Sequence, residues 1–289
     1  MQGILFAIGA MISWTFGDFL IQKTVRRVGS MKALMYIGIV ALIVLCPFIY
    51  KEIPALFSSS RDLIILSLGG LVMFSAALFD FEALRRGKFS IVEPLYGLEV
   101  PVSLGLSIGI WGEYLSLVQM ILIGVIFVGI MLAITVHHTH LHYHKRIFER
   151  GVVLAIMGAI GMGLGNFIVG VASQTISPLI SIWFIHGSLG IFCLLYLLTR
   201  GQLKNGIKEI KENIGIITGQ SILDNVAWIF FAFSVTYLPI SIAVGITESY
   251  IAFGALLGVF LNKEKLKWHQ YIGIAVTCVA VIILATISE

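Results

Sequence analysis

Charge is what this sequence has least of. Asp, Glu, Lys and Arg make up only 12% of its 289 residues, about half the share usual in soluble domains. Hydrophobic residues make up 58%, and the mean hydropathy is +1.01. A fold of this size in water could not hide so much apolar surface, so lipid is the expected solvent. Cysteine is scarce too. Cys46, Cys193 and Cys278 each fall inside an apolar run, which excludes a disulfide framework and reads as small core residues. Long polar stretches are missing. The longest links, 137–150 and 200–213, hold 14 residues each. They leave no room for a soluble domain and little for catalytic loops. The apolar runs also lack a His/Glu metal-ligand motif and a Ser–Lys/His arrangement, so an enzyme is not expected, nor a cofactor. The net charge of +4 is too mild for a nucleic-acid binder. No basic region precedes the first apolar run and no small-residue cleavage site follows it, so that run is expected to be a retained helix.

What is there is a series of apolar runs near the length a spanning helix needs. Ten are expected, at 3–22, 33–50, 62–84, 90–110, 116–136, 151–172, 178–199, 214–236, 240–261 and 268–287. The chain also repeats itself. Gly17-Asp18-Phe19 in run 1 matches Gly165-Asn166-Phe167 in run 6, an offset of 148. Glu99, Gly105 and Gly109 in run 4 match Glu248, Gly254 and Gly258 in run 9, an offset of 149. Glu113, Leu115 and Gln119 match Glu264, Leu266 and Gln270 at 151. Duplication of this kind is a common build for transporters. It divides the chain into a first repeat, 1–136, a His-rich linker, 137–150, and a second repeat, 151–289.

Five is an odd number, so a second copy of five helices enters the membrane upside down. Lys and Arg agree with this. The links after runs 1, 3, 5, 7 and 9 carry 17 of the 19 basic residues; Lys51 and Arg61 lie on the other side. The positive-inside rule makes the basic side cytoplasmic and places both termini outside. The expected fold is all-α and integral to the cell membrane, with ten transmembrane helices as two inverted five-helix repeats.

With Glu99-x-Pro101 in run 4, a short turn holding Glu113 and Leu115, a Gly-rich run 5, and the second copy at Glu248, Glu264 and Leu266, the sequence resembles the ten-helix EamA-type branch of the drug/metabolite transporter superfamily. The resemblance covers nearly the whole chain. It implies a 5+5 inverted-repeat transporter with a central cavity, working by alternating access and often by proton exchange. There are two departures: run 9 has Ser249-Tyr250 where run 4 has Val100-Pro101, and the termini of the family's better-known members usually face the cytoplasm, the reverse of what the charge count predicts here.

An ionisable group within hydrocarbon is costly unless it faces a cavity or a partner. Asp18, Asp80, Glu82, Glu93, Glu99, Asp224 and Glu248 fall within the runs, and no Lys or Arg sits mid-run to neutralise them. Glu99 and Glu248 hold equivalent places in the repeats, either to exchange protons and cargo or to join helices by hydrogen bonds. Asp18 and Asn166 form a second equivalent pair in which one member titrates and the other does not. Asp224 and Trp228 stand one turn apart, as do Trp14 and Asp18; an acid beside an aromatic suits a cation. Asp80 and Glu82 point about 200° apart on a helix, so one of them at most faces a cavity. Arg85, Arg86 and Lys88 stand ready to pair with Glu82. Trp111 and Trp268 read as interface anchors, and a lone His186 reads either as a proton relay or as a packed core residue.

Pro94 and Pro101 are expected to bend run 4. Gly105, Gly109, Gly254 and Gly258 are expected to let runs 4 and 9 pack closely at a gate, and Gly161-x3-Gly165 has the same small-residue spacing. His137, His138, His140, His142 and His144 form either a weak metal-binding tract or a solvated linker. The expected partners are the bilayer, a small molecule or cation, and protons. The reading is a proton-coupled exporter of a small cationic or zwitterionic metabolite or drug. A divalent-metal carrier and a scaffold or accessory subunit without transport are the alternatives.

Overall fold

The computed structural model describes residues 1–86, 95–134, 145–203, 206–254, 257 and 266–288. Among them there is no strand. The helices are α1 (Gln2–Val28), α2 (Ser30–Ile49), α3 (Ile53–Ser58), α4 (Ser60–Arg86), α5 (Glu99–Gly109), α6 (Leu117–Ile134), α7 (Lys145–Thr175), α8 (Pro178–Thr199), α9 (Gly206–Ser234), α10 (Ile240–Thr247) and α11 (Trp268–Ile287). Seven are long and apolar enough to cross a membrane: α1, α2, α4, α8, α11, Gly151–Thr175 of α7 and Lys208–Ser234 of α9. Leu117–Ala133 and Ile240–Gly254 are shorter apolar helices. The outward faces carry exposed Ile43, Val44, Phe48, Val118, Ile121, Val125 and Val279, a surface stable only against lipid.

Local chemistry explains the joints. Gly29, between α1 and α2, has φ +88°, which L side chains rarely adopt. Pro178 opens α8 behind an extended Ser177, where a missing N–H costs nothing. The repeats share a helix-start device. Ser116 N donates to Gln119 Oε1 (2.9 Å) before α6, and Lys267 N donates to Gln270 Oε1 (2.8 Å) before α11.

The most extensive pairings join the first half of the chain to the second: α1 with α9, α4 with α7, α2 with α8, and α6 with α11. Exchanging the halves maps this pattern onto itself. The equivalent helices run antiparallel. Gln119, at the start of α6, donates to Ser288 just past the end of α11, while Gln270, at the start of α11, donates to Ala133 O at the end of α6. In α2 and α8, Met31 meets Cys193, Gly38 meets Gly190, and the Leu42 carbonyl accepts from Trp183. A Cβ on Gly38 would overlap the backbone of His186 and Gly190, so this crossing depends on glycine.

Basic residues collect at one end of the bundle. There Lys32 pairs with Glu209 (2.5 Å) and Arg27 donates to Asn213 (3.2 Å). Glu82 accepts from Arg85 (2.6 Å), Arg86 (2.5 Å) and Ser30 (3.3 Å). At the other end Trp111 donates to Gln174 (3.0 Å), whose amide donates to Val235 O.

Several boundaries differ from the sequence reading. α1 continues to Val28, so Asp18 lies well inside a helix. α7 starts at Lys145, inside the expected linker. The short α3 was not expected. The main correction concerns the glycines at the expected gate. Gly105 and Gly109 lie on the exposed face of α5 and a Cβ on either would meet only open space. Gly254 is half-buried, and a Cβ there would also meet only open space. α5 and α10 do pack together, but the buried face of α5 is formed by Glu99, Val100, Ser103 and Ser107. The four-residue spacing is right for close packing but does not say which face of the helix is turned inward. By contrast, Gly161 and Gly165 seat against Ala76 and Met73 of α4. Gly258, Pro94, Glu93, Glu264 and the five tract histidines lie outside the described residues.

Candidate functional site

Two of the bundle's helices are interrupted, one just before Glu99 and the other at Glu248. Before α5 the backbone forms a turn at Gly97–Leu98, where Leu98 N bonds Leu95 O (3.1 Å) and Val100 N bonds Gly97 O (3.3 Å). Pro101, on the exposed side of the first turn of α5, has no N–H to offer the Gly97 carbonyl, and Val100 serves it instead. The bend that Pro101 produces therefore falls upstream of Glu99. In the second half, α10 ends at Thr247, Glu248 and Ser249 form a turn, and helix resumes at Tyr250. Run 9 has no proline there. Its break is held by Ser249, whose N–H (3.3 Å) and Oγ (2.5 Å) both donate to Ile246 O. Broken helices leave polar backbone inside a bundle, which is tolerated only beside protein partners or a cavity.

Between these breaks lies a cavity of about 60 Å³, room for a few water molecules. Asp18, Asp80, Glu99, Asn166, Asp224, Glu248, Trp14 and Trp228 all line it. Tyr96, Tyr250, Phe81 and Met162 complete much of the wall. Among the described residues the lining holds five carboxylates and no Lys, Arg or His. Asp80, Glu99, Asp224 and Glu248 are buried, and Asp18 is partly exposed.

The amide of Asn166 joins the pair. Its Nδ2 donates to Glu99 Oε2 (3.3 Å) and Glu248 Oε1 (3.2 Å). The second Glu248 oxygen and Asp80 Oδ1 have no hydrogen-bond partner. Asp80 lies over Gly158, where a Cβ would overlap its carboxylate. Tyr96 donates its hydroxyl to the Asp80 carbonyl (2.8 Å), and Tyr250 hydrogen-bonds Asp18. Trp14 and Trp228 meet edge to face (centroids 5.1 Å apart), and Tyr250 stacks at a tilt on Trp14 (5.9 Å).

Five carboxylates around so small a space cannot all be ionised without protons or a cation among them, because like charges in a poorly solvated site repel strongly. That is the chemistry the arrangement can perform.

Asp80 faces the cavity and Glu82 does not; Glu82 faces Arg85 and Arg86 at the basic end. His186 is buried, bonded through Nδ1 to Asn225 Oδ1 (2.9 Å) and packed edge-on against Trp228 (5.7 Å). Trp111 and Trp268 are both exposed. Among the described residues, no three His, Cys, Asp or Glu are grouped so as to hold a metal ion.

Sequence reasoning missed Tyr96, Tyr250 and Glu113 as site elements. Tyr250 had a signal: it stands where the repeats depart from each other. Glu113 had one too, as a repeated acid in a short turn. Its carboxylate accepts from Ile240 N, Ser241 N (3.0 Å) and Ser241 Oγ (2.6 Å). It thereby caps the start of α10, the helix that ends just before Glu248.

Fold and site together define a polytopic α-helical membrane protein of the transporter kind, duplicated around a buried acidic cavity. The chain belongs to the EamA-like transporter family, whose pattern it matches twice, over residues 1–135 and 149–286. A solved crystal structure of a protein is similar in fold over 99% of this chain and 97% of its own, with a TM-score of 0.74 at 11% identity. No functionally curated protein sequence matches the chain.

Proposed function

We propose that the protein is a secondary active transporter that exports a small cationic or zwitterionic metabolite or drug in exchange for protons, by alternating access. The observation that carries this reading is the lining itself: among the described residues, five carboxylates, no basic side chain, and one amide bridging the two equivalent glutamates. Protons and a cationic cargo would compete for these carboxylates. Occupancy by one would release the other, which is the condition for coupled exchange.

The reading includes ten membrane crossings arranged as two inverted five-helix repeats, 1–136 and 151–289, joined by the linker 137–150. It also places the basic end in the cytoplasm and both termini outside. Antiparallel pairing of equivalent helices supports the inversion, since only an axis in the membrane plane relates antiparallel mates. The concentration of Lys and Arg at one end supports the orientation.

The test is flux in proteoliposomes under an imposed pH gradient, with wild type compared against Glu99→Gln, Glu248→Gln and Asp18→Asn. Gradient-driven flux should be lost in the two Glu variants. If all three variants keep both flux and ligand-induced stabilisation, the acids are structural and a non-transporting scaffold becomes the better reading.

A further inference from the structure

The cavity's polar groups are unequal in a way that narrows the cargo. Its acceptors are in excess. Besides the bridged oxygens, Glu248 keeps one oxygen and Asp80 one oxygen without any hydrogen-bond partner, each on a side chain more than nine-tenths buried. Its amide and hydroxyl donors are engaged, which leaves the two indole N–H groups of Trp14 and Trp228 as neutral donors. Both contacts of the Asn166 amide go to Glu99 and Glu248, the Tyr96 hydroxyl goes to the Asp80 carbonyl, and Tyr250 is engaged with Asp18. The nearest imidazole, His186, is held by Asn225 and does not reach the lining. A ligand carboxylate would therefore arrive as a further acid beside five, with no cation among the described lining residues to meet it. An ammonium would meet unsatisfied oxygens, with indole faces beside them.

We propose that the cargo is an organic amine that bears no carboxylate, its ammonium held among Asp18, Asp224 and the free oxygens of Asp80 and Glu248, and its alkyl part against Trp14 and Trp228. This deepens the transport reading above and rests on the same cavity. Amino acids and other zwitterions are excluded by the missing counter-charge, as specificity by repulsion requires. The small volume favours a compact aliphatic amine.

The experiment is calorimetric binding to the purified full chain, using n-butylamine, 4-aminobutyrate and butyrate. The three share a four-carbon skeleton and differ in charge. n-Butylamine should bind at least about tenfold more tightly than 4-aminobutyrate, and butyrate should not bind. Asp18→Asn should weaken n-butylamine by about tenfold, and Trp228→Phe should weaken it less than Trp228→Leu. Equal binding of n-butylamine and 4-aminobutyrate, or no binding of n-butylamine, overturns the inference. So does an Asp18→Asn variant that melts like wild type and binds unchanged. Flux separates the two readings. Gradient-driven movement of 4-aminobutyrate would sink the cargo class and leave transport standing. n-Butylamine binding with the stated preference, but with no flux under any gradient, would sink transport and leave the amine site standing.

Discussion

Glu99 and Glu248 share one amide. They come from opposite halves of the chain and from the two interrupted helices, and Asn166 Nδ2 reaches both, at 3.3 and 3.2 Å. Asn166 itself stands at the place equivalent to Asp18. Asn166→Ala should remove both contacts and leave two buried carboxylates without a donor. The expected cost is about 1–3 kcal/mol, read as a lower melting temperature in detergent. Glu248→Gln should leave the melting temperature unchanged or raise it, since it removes a buried negative charge from a crowded acidic site. Melting curves of the two variants, measured side by side, check the contrast.

Ligand binding should depend on pH with a defined sign. A cation and protons occupy the same carboxylates in the proposed mechanism, so binding a cation releases protons. By linkage, the affinity for n-butylamine should rise with pH and fall on acidification. Calorimetry in two buffers of different ionisation enthalpy should show proton release. An affinity that is flat or that rises in acid would contradict the exchange.

Glycine substitutions should separate the true crossing from the apparent one. Gly38→Ala forces a methyl into the α8 backbone at Gly190, and overpacking of this kind costs about 1–3 kcal/mol. Gly105→Ala points a methyl into open space on α5. It should be neutral, or stabilising by up to about 1 kcal/mol through helix propensity. Thermal melting of both variants provides the comparison.

Glu113 should matter more than an exposed acid in a turn ordinarily would. Its three acceptor contacts hold the start of α10. Glu113→Ala should lower stability by about 1–2 kcal/mol. Glu113→Gln should retain part of that, and Ser241→Ala should lose less than Glu113→Ala because the two backbone contacts survive. Melting temperatures read this order.

Orientation is open to labelling. In a background with Cys46, Cys193 and Cys278 replaced, single cysteines at Lys208 and Tyr114 report opposite ends of the bundle. Tyr114 is 97% exposed. A membrane-impermeant maleimide added to intact cells should label position 114 and spare position 208. The reverse pattern would invert the assignment of sides.

Much of the candidate site's acidic lining was legible in the sequence. A carboxylate in an apolar run is costly wherever it sits, so the acids announce themselves. Asp18, Asp80, Glu99, Asp224 and Glu248 line a single cavity, together with Asn166 and both one-turn tryptophans. The glycines show where such reading stops. Gly105-x3-Gly109 and Gly161-x3-Gly165 are identical as patterns, yet the first faces outward and the second receives Ala76 and Met73. Helix rotation decides that: the buried face of α5 carries Glu99, Ser103 and Ser107 one turn apart, and Gly105 and Gly109 lie off that stripe. Tyr96 was illegible for another reason, and so was what Glu113 would bind, although its place in the repeat marked it. Their partners, the Asp80 carbonyl and the backbone of Ile240 and Ser241, are groups that every residue possesses.

The amino-acid sequence alone determined that the chain lives in lipid, that it is duplicated, and that its interior is acidic, because hydropathy, repetition and charge are sums over residues and need no geometry. Only the tertiary structure decided that one amide serves two glutamates, that a helix break lies beside each of them, and that the cavity's amide and hydroxyl donors are engaged. Those facts depend on distances between segments far apart in the chain, which packing sets and no local pattern encodes.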